Sequence, residues 1–284
     1  MRLPQLLLQR RPDAHKNDFG HILILAGSSG MLGAAALSAL SAMRSGAGLV
    51  TVGIPRTLNL ALQKKLSPVI MTLPLPETKG RTLSLDAFPE IKKRAASIDI
   101  IALGPGLTQN PSTVKLILKI IGSLKKPLVL DADALNALKG KIHVLRENLV
   151  LKILTPHPGE MSRLTGLSRK FIENNREKIS RQFAKAHHCI VLLKGHRTVV
   201  ASPGGKFYTN TTGNPGMASA GSGDVLTGII AAFLAQGLPG FDAAKYAAYI
   251  HGKAGDSAAK EKGTTSLIAI DIIEKIPEAL RSSI

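Results

Sequence analysis

The chain contains little cysteine, no tryptophan and few aromatic residues, and these absences narrow the classes of protein to consider. Its single cysteine, Cys189, excludes an internal disulfide and fits a reducing compartment. Aromatic residues make up only 4% of the chain and the basic residues are dispersed, which is untypical of a nucleic-acid-binding protein. No uncharged run is long enough to span a membrane, and the apolar residues 6–8 are too few for a signal peptide. We therefore expect a cytoplasmic protein that binds neither nucleic acid nor membrane.

Positive charge, by contrast, is abundant: 37 lysine and arginine residues against 19 acidic residues give a formal net charge of +18. Such a charge concentrates anions near the protein, and we interpret it as suited to phosphorylated small molecules. The 284 residues are 44% hydrophobic, which is enough for a sizeable core. Because no linker or break in composition divides the chain, we predict a single domain over residues 1–284.

Apolar runs rich in β-branched residues alternate with helical patterns, which predicts an α/β fold with a mostly parallel sheet and helices on both faces. The predicted parallel strands lie near residues 22–26, 49–52, 98–103, 127–131, 150–154 and 189–193. An antiparallel pair is predicted at residues 198–201 and 206–209. The predicted helices lie near residues 33–43, 84–97, 111–122, 168–187, 223–236, 240–261 and 271–281.

Polar and glycine-rich segments follow several of these strands, at residues 26–30, 104–106, 131–133, 155–160 and 194–198. Each one alone is typical of an ordinary turn. Ligands of open parallel sheets bind beyond the carboxyl ends of the strands, where all of these segments fall. The sequence therefore predicts a ligand site at this edge of the sheet.

Residues 212–224 (Thr-Gly-Asn-Pro-Gly-Met-Ala-Ser-Ala-Gly-Ser-Gly-Asp) lead into the apolar helical run 225–234. A glycine-rich turn that opens a helix leaves backbone N–H groups unpaired, and these groups form a site for phosphate. A carboxylate at this place repels a phosphate, but Asp224 has a role there if it takes the proton of a hydroxyl group that attacks the phosphorus. The alternative is that Asp224 caps the helix, which is a common role of aspartate.

Motifs of one known family recur along the chain: residues 15–20 (His-Lys-Asn-Asp-Phe-Gly), 33–35 (Gly-Ala-Ala), 44–50 (Arg-Ser-Gly-Ala-Gly-Leu-Val), 103–107 (Leu-Gly-Pro-Gly-Leu), 130–136 (Leu-Asp-Ala-Asp-Ala-Leu-Asn), 154–161 (Leu-Thr-Pro-His-Pro-Gly-Glu-Met), 193–195 (Leu-Lys-Gly) and the loop ending at Asp224. With these segments the chain resembles the ADP/ATP-dependent NAD(P)H-hydrate dehydratases of the ribokinase-like superfamily. The resemblance extends from about residue 15 to residue 280 and implies a three-layer ribokinase-like fold. Some members carry a fused epimerase domain, for which the chain leaves no room before residue 15, so we expect none.

The resemblance implies a repair reaction, in which the S-form of hydrated NADH or NADPH loses water while a nucleotide, ADP more than ATP, is split to AMP and phosphate. Mg²⁺ is the implied cofactor. Phosphate is a better leaving group than hydroxide, so phosphorylation of the ring hydroxyl before elimination makes chemical sense.

The resemblance also assigns residues to roles, with Asp224 as the catalytic base. The implied contacts to the hydrated cofactor are Gly33, Ala34, Gly106, His157 and Asp224. The implied nucleotide contacts are Lys194, Gly195, His196, Arg197, Thr198, Gly221, Ser222 and Gly223. Glu160 is the candidate for holding the metal, either directly or through water. Asp131, Asp133 and Asn136 are left outside the site, with helix capping as the interpretation of Asp133.

Two alternatives remain open, a small-molecule kinase of the same superfamily and a non-catalytic nucleotide-binding protein. The resemblance leaves the choice between ADP and ATP and between NADH hydrate and NADPH hydrate open. It implies a homotetramer, which the small residues of the first helix would suit, and a separate NAD(P)H-hydrate epimerase as a working partner.

Overall fold

The computed structural model describes residues 1–283, and within them nine strands form a single sheet. The strands are β1 (His21–Leu25), β2 (Leu49–Pro55), β3 (Met71–Leu75), β4 (Ile100–Leu103), β5 (Leu128–Leu130), β6 (Lys152–Leu154), β7 (Ile190–Leu193), β8 (Val199–Ala201) and β9 (Phe207–Thr209). Their order across the sheet is β3-β2-β1-β4-β5-β6-β7-β8-β9. All pairs from β3 to β7 are parallel, whereas β8 and β9 add an antiparallel edge. The predicted mixed sheet, parallel over most of its width, is therefore confirmed.

Helices cover both faces of this sheet because side chains of successive strand residues point to opposite faces. The helices are α1 (Gln5–Leu8), α2 (Leu32–Arg44), α3 (Asn59–Gln63), α4 (Phe88–Ala95), α5 (Pro111–Ser123), α6 (Asp133–Ala137), α7 (Pro158–Thr165), α8 (Arg169–Asn174), α9 (Arg176–His187), α10 (Ser222–Ala235), α11 (Gly240–Lys262) and α12 (Ala269–Arg281). Ile22 and Ile24 of β1 face a core that α2, α10, α11 and α12 complete. Leu23 and Leu25 face the second core, to which α4, α5 and α9 contribute. The result is the expected three-layer arrangement.

Two predicted helices differ in the structure, and strand β3 lies outside the predicted elements. The predicted helix at 84–97 begins as a 3₁₀ turn, Leu85–Ala87, and its α-helical part is only Phe88–Ala95. The predicted helix at 168–187 is two helices, which break at Asn175, where the backbone leaves the helical region (φ −129°, ψ 31°). Strand β3 was not predicted, because Pro74 within it is typical of a loop. It is tolerated there because β3 is an edge strand of the sheet, which has neighbours on one side only.

The order of the strands reverses direction between β1 and β4, because the chain moves outward from β1 through β2 to β3 and then crosses to β4. Such a reversal opens a crevice at the carboxyl ends of the two strands, which is the usual ligand site in open α/β sheets. The same edge carries the loops after β5, β6 and β7. None of the helices in residues 1–283 combines the length and apolarity that a membrane span requires.

Candidate active site

A cavity of about 780 Å³ lies at the carboxyl edge of the sheet and gathers most of the residues implied to bind nucleotide. Its walls include the segment 194–198 after β7, the Ser222 and Gly223 start of α10, and His157 after β6. Residues that lie far apart in sequence thus meet, as the prediction of a site at this edge requires. Gly221 does not line the cavity itself but directly precedes the helix whose first residues do.

The start of α10 is built to present backbone amides. Gly221 precedes the helix in the left-handed region (φ +88°), and no side chain within the described residues caps this end. A Cβ atom on Gly221 would lie only 2.4 Å from Leu37 Cδ1 of α2, so the position excludes larger residues. Uncapped N–H groups and the helix dipole together favour an anion here.

Asp224 lies in the first turn of α10, where Gly221 and not Asp224 holds the capping position. Asp224 therefore does not occupy the capping position, although a carboxylate in the first turn still suits the positive end of the helix dipole. Burial, and to a smaller extent the negative charge of Asp131, raise the pKa of the Asp224 carboxyl; the ammonium of Lys194 opposes both, and the net result is a pKa of about 7 in place of 3.8. A carboxylate whose pKa lies near neutrality is suited to accept a proton at physiological pH.

Asp131 is the buried centre of a polar network, although the sequence analysis left it outside the site. It is 1% exposed, and its Oδ1 accepts hydrogen bonds from Lys194 Nζ (2.5 Å) and Thr155 Oγ1 (2.8 Å). Its Oδ2 accepts from Thr227 Oγ1 of α10 at 2.9 Å. The one signal in the sequence was its position directly after β5, which it shares with many turn residues.

Lys194 carries a positive charge close to the start of α10. Burial lowers its pKa, but the carboxylates of Asp131 and Glu160 outweigh burial, and the pKa of Lys194 is raised above 10.5. The ammonium is therefore charged at neutral pH. A Cβ atom on Gly223 would lie 3.4 Å from Lys194 Nζ, which places this charge beside the amides of the helix terminus. The two features form one anion site.

Glu160 and His157 form the N-terminal cap of α7. The backbone N–H of His157 donates to Glu160 Oε2 (2.8 Å), and His157 Nδ1 accepts from the N–H of Gly159 (3.0 Å). Glu160 Oε2 also lies 3.9 Å from Lys194 Nζ. No group of three or more potential metal-ligating side chains exists within residues 1–283. The residues present therefore do not fit a metal held by the protein alone, and the prediction of Glu160 as a direct ligand gains no support from this geometry.

Gly33, Ala34 and Gly106 lie together at the crevice between β1 and β4, outside the walls of the cavity. A Cβ atom on Gly106 would lie 3.0 Å from Met31 Cβ and 3.3 Å from Ala34 Cβ. Ser28 Oγ after β1 donates to the carbonyl of Gly106 at 2.8 Å, which ties the two loops together. Gly221 lies close to Leu37 of α2, the helix that also carries Gly33 and Ala34, so the start of α10 packs beside the helix that borders this crevice.

Asp133 does not cap a helix, which corrects the interpretation from sequence. It is the first residue of α6, and its Oδ2 accepts a hydrogen bond from the backbone N–H of Thr108 at 2.7 Å. The preceding Ala132 has a strained backbone (φ +48°, ψ −114°), at a conformation that favours glycine. This turn sends Asp131 toward Lys194 and Asp133 toward the loop that follows Gly106.

His251 of α11 also lines the cavity, and the sequence analysis did not identify it. The sequence offers one signal for this position: two glycines follow His251 inside a helical pattern, where glycine is unfavourable. Glycines in a helix indicate that another segment packs closely against it. Close packing does require glycine at both Gly252 and Gly255. A Cβ atom would lie 2.3 Å from Thr212 Oγ1 at the first and 2.2 Å from Met217 Sδ at the second.

Comparisons with known proteins give one consistent result. A family model described as NAD(P)H-hydrate dehydratase matches residues 22–278. The chain is 36% identical over 287 residues to the ADP-dependent (S)-NAD(P)H-hydrate dehydratase of Neisseria meningitidis serogroup B, a match that covers 100% of this chain and 92% of that protein. It is 45% identical over 276 residues to the bifunctional NAD(P)H-hydrate repair enzyme Nnr of Moorella thermoacetica, which covers 97% of this chain and 52% of the relative.

The fold has a solved counterpart in the ADP/ATP-dependent NAD(P)H-hydrate dehydratase of Bacillus subtilis, co-crystallised with ATP/Mg²⁺. The two structures match with a TM-score of 0.81 at 29% sequence identity, over 100% of this chain and 95% of the other. A ribokinase-like superfamily protein of Enterococcus faecalis V583 matches with a TM-score of 0.84 at 27% sequence identity, over 97% of this chain and 91% of that chain, which confirms the predicted ribokinase-like fold class. The chain spans about half the length of the bifunctional relatives that it matches.

Proposed function

The chain belongs to the NAD(P)H-hydrate dehydratase family, and from this premise we propose that it dehydrates the S-form of hydrated NADH and NADPH with ADP as co-substrate. The products are NADH or NADPH, AMP and phosphate. The observation that carries the proposal is the position of Asp224, whose carboxyl has a pKa of about 7, in the first turn of an uncapped helix beside the charged Lys194. A base and an anion site at one helix terminus are what phosphorylation of a hydroxyl group needs.

In the proposed first step the ring hydroxyl attacks the terminal phosphorus of ADP. The new oxygen–phosphorus bond forms as the bond to AMP breaks, and Asp224 accepts the hydroxyl proton. The amides of Gly221, Ser222 and Gly223 and the ammonium of Lys194 stabilise the negative charge of the phosphoryl group in transit. The crevice at Gly106 and Ala34, together with His157, holds the hydrated ring.

In the second step the carbon–oxygen bond of the phosphorylated ring breaks, and its electron pair leaves with phosphate. The neighbouring ring carbon then loses a proton to solvent, and the electron pair of that carbon–hydrogen bond forms the double bond of the reduced nicotinamide. Atoms balance, since the oxygen of the lost water ends in phosphate. Asp224, protonated in the first step, returns its proton to solvent before the next turnover.

We infer the nucleotide and its metal from the relatives of this chain. The neisserial relative is named for ADP, and the Bacillus structure was co-crystallised with ATP/Mg²⁺. We assign ADP as the preferred nucleotide here, with segment 194–198 as its binding loop. Mg²⁺ would neutralise phosphate oxygens of the nucleotide, and no step above depends on its being held by the protein.

The test is a spectrophotometric repair assay with purified S-form hydrate and ADP, ATP or no nucleotide. Return of the absorbance band of reduced nicotinamide with ADP, and its absence without nucleotide, is the expected result. A phosphorylated hydrate that accumulates without recovery of that band would instead assign the chain to the kinases. No consumption of nucleotide at all would assign it to non-catalytic nucleotide binding.

We also propose an epimerase as a partner of this chain. The relatives called Nnr are described as bifunctional, and we infer that this chain works beside an epimerase that converts the R-form of the hydrate into the S-form. A mixture of both forms should then be repaired only in part by this chain and completely when an epimerase is added. The homotetramer implied by the resemblance is a further proposal, which light scattering of the purified protein tests.

A further inference from the structure

His251 is the titratable residue of the cavity to which the proposed reaction gives no role. It projects from α11 into the cavity wall, and its Nε2 lies 3.3 Å from Ser222 Oγ, at the first residue of α10. The contact joins two helices at the point where the backbone amides face the cavity. No other side chain within the described residues forms a hydrogen bond with the Ser222 hydroxyl.

The same stretch of α11 also holds the opposite wall of the cavity. Asp256 Oδ2 accepts a hydrogen bond from the backbone N–H of Gly213 (2.9 Å), and its Oδ1 accepts from Asn214 Nδ2 (3.0 Å). Asn214 Nδ2 also donates to the carbonyl of Gly255 at 3.0 Å. One turn and a half of α11 thus fixes both segments between which the nucleotide would lie.

The imidazole of His251 is neutral at neutral pH. Burial and the nearby charge of Lys194 lower its pKa, a hydrogen bond to the backbone of Ser222 opposes them, and the net result is a pKa of about 4. In a neutral ring one nitrogen donates and the other accepts, so the link to Ser222 is a hydrogen bond between uncharged groups. It can orient the hydroxyl without adding a charge beside the phosphate.

We propose that His251 is a positioning residue, which holds the Ser222 hydroxyl and thereby fixes the first turn of α10 with its amides directed at the phosphoryl group. The inference rests on the proposed function, because it assigns a task within the same nucleotide site. No capping side chain holds the start of α10 within residues 1–283, and the N–H of Ser222 forms a long hydrogen bond of 3.4 Å to the carbonyl of Ser219. Loss of the imidazole therefore releases the turn that binds the phosphate.

The experiment is a double-mutant cycle on ADP affinity, measured by titration calorimetry, with His251→Ala, Ser222→Ala and the double variant. Each single variant should weaken ADP binding by about tenfold, the effect of a single hydrogen bond in a polar site. The double variant should be no weaker than either single one, because both remove the same contact. Effects that multiply in the double variant would overturn the proposal.

Two conservative variants sharpen the test. Glutamine places its amide where the ring carries Nε2, whereas asparagine places it at the Nδ1 position. His251→Gln should therefore restore most of the ADP affinity and His251→Asn should not, with equal thermal midpoints of unfolding for the two. Equal affinities of the two variants would contradict a role through Nε2.

Kinetics separate this inference from the function on which it rests. In the repair assay His251→Ala should raise the KM for ADP and leave the KM for the hydrate unchanged. A rise of both KM values would indicate a general disturbance of the fold and overturn the positioning role. If the wild-type chain fails to restore reduced nicotinamide, the proposed function is refuted, while the ADP affinity cycle still decides the role of His251.

Discussion

Lys194 Nζ lies 2.5 Å from Asp131 Oδ1, and this ion pair joins the loops after β7 and β5 across the end of β6. Asp131 also accepts a hydrogen bond from Thr227 of α10, so the same carboxylate connects the sheet to the helix that carries Asp224. The lysine is thereby held beside the anion site instead of extending into solvent. Burial raises the pKa of Asp224 most, and the charges of Asp131 and Lys194 act on it in opposite directions; together the three effects set the range of pH in which Asp224 can serve as a base.

The first prediction concerns the pH dependence of the reaction. Asp224 must be deprotonated to accept a proton, so kcat/KM for the hydrate should rise with pH to a midpoint at about pH 7. Asp131→Asn removes a negative charge that raises this pKa, and it should move the midpoint to lower pH. Thr227→Val is the matched control, because it removes a hydrogen bond to Asp131 and no charge. A midpoint that stays in place in Asp131→Asn would refute the coupling.

The second prediction concerns stability. The pKa of Asp224 is about 7 in the folded chain and 3.8 ordinarily, so between these values the folded state holds a proton that the unfolded state has released. Stability from this group is therefore lost as the pH rises through that window. Asp224→Asn has no such loss. The difference in unfolding midpoint between the variant and the wild type should be small at about pH 4, grow toward pH 7 and then stay constant. A difference independent of pH would contradict the raised pKa.

The third prediction concerns Arg176, which forms hydrogen bonds to the backbone at the start of segment 194–198. Its Nη2 donates to the carbonyls of Leu193 (2.7 Å) and Lys194 (3.1 Å). Arg176→Met leaves both carbonyls without this donor. Because the lost hydrogen bonds contribute about 1–2 kcal/mol, the variant should raise the KM for ADP roughly tenfold. Arg181→Met is the matched control on α9, since Arg181 pairs with exposed Glu177 and lies over the ring of Phe207, and neither contact involves segment 194–198. An unchanged KM in Arg176→Met would show that the loop keeps its shape without the arginine.

The fourth prediction concerns Gly221. Alanine there meets both a left-handed backbone (φ +88°) and Leu37 Cδ1 at 2.4 Å. Gly221→Ala should lower the thermal midpoint and reduce kcat by shifting the amides of α10 away from the phosphoryl group. Gly205→Ala is the control, because its φ is +86° and nothing lies within 4 Å. It should lose about 1–2 kcal/mol of stability from the backbone alone and keep full activity. Equal kcat values in both variants would argue against the role of the turn.

The sequence predicted those parts of the molecule in which a local pattern carries the signal. Buried strands such as β1 and β4 are short β-branched runs, and the glycine-rich start of α10 is visible as composition alone. The segment 194–198 was correctly placed with Ser222 and Gly223 because the carboxyl ends of parallel strands share one edge of the sheet. The residue roles themselves remain predictions.

The remainder depends on contacts between residues far apart in the chain. The pairing of Asp131 with Lys194 spans 63 positions, and nothing in either local motif indicates it. His251 stands inside a helix whose pattern accounts for it as an ordinary helical residue. Strand β3 contains Pro74, which local propensity assigns to a loop, and only its position at the sheet edge permits it. Tertiary packing decides each of these cases.

The most direct test of the account is the repair assay on wild-type protein and Asp224→Asn, with S-form hydrate and ADP, beside calorimetric titration of both with ADP. We expect the wild type to restore the absorbance of reduced nicotinamide and the variant to be slower by about 10²–10⁴-fold, the usual contribution of a general base. The affinity of the variant for ADP should be close to that of the wild type. Turnover by Asp224→Asn at the wild-type rate would contradict the assignment of this carboxylate as the base.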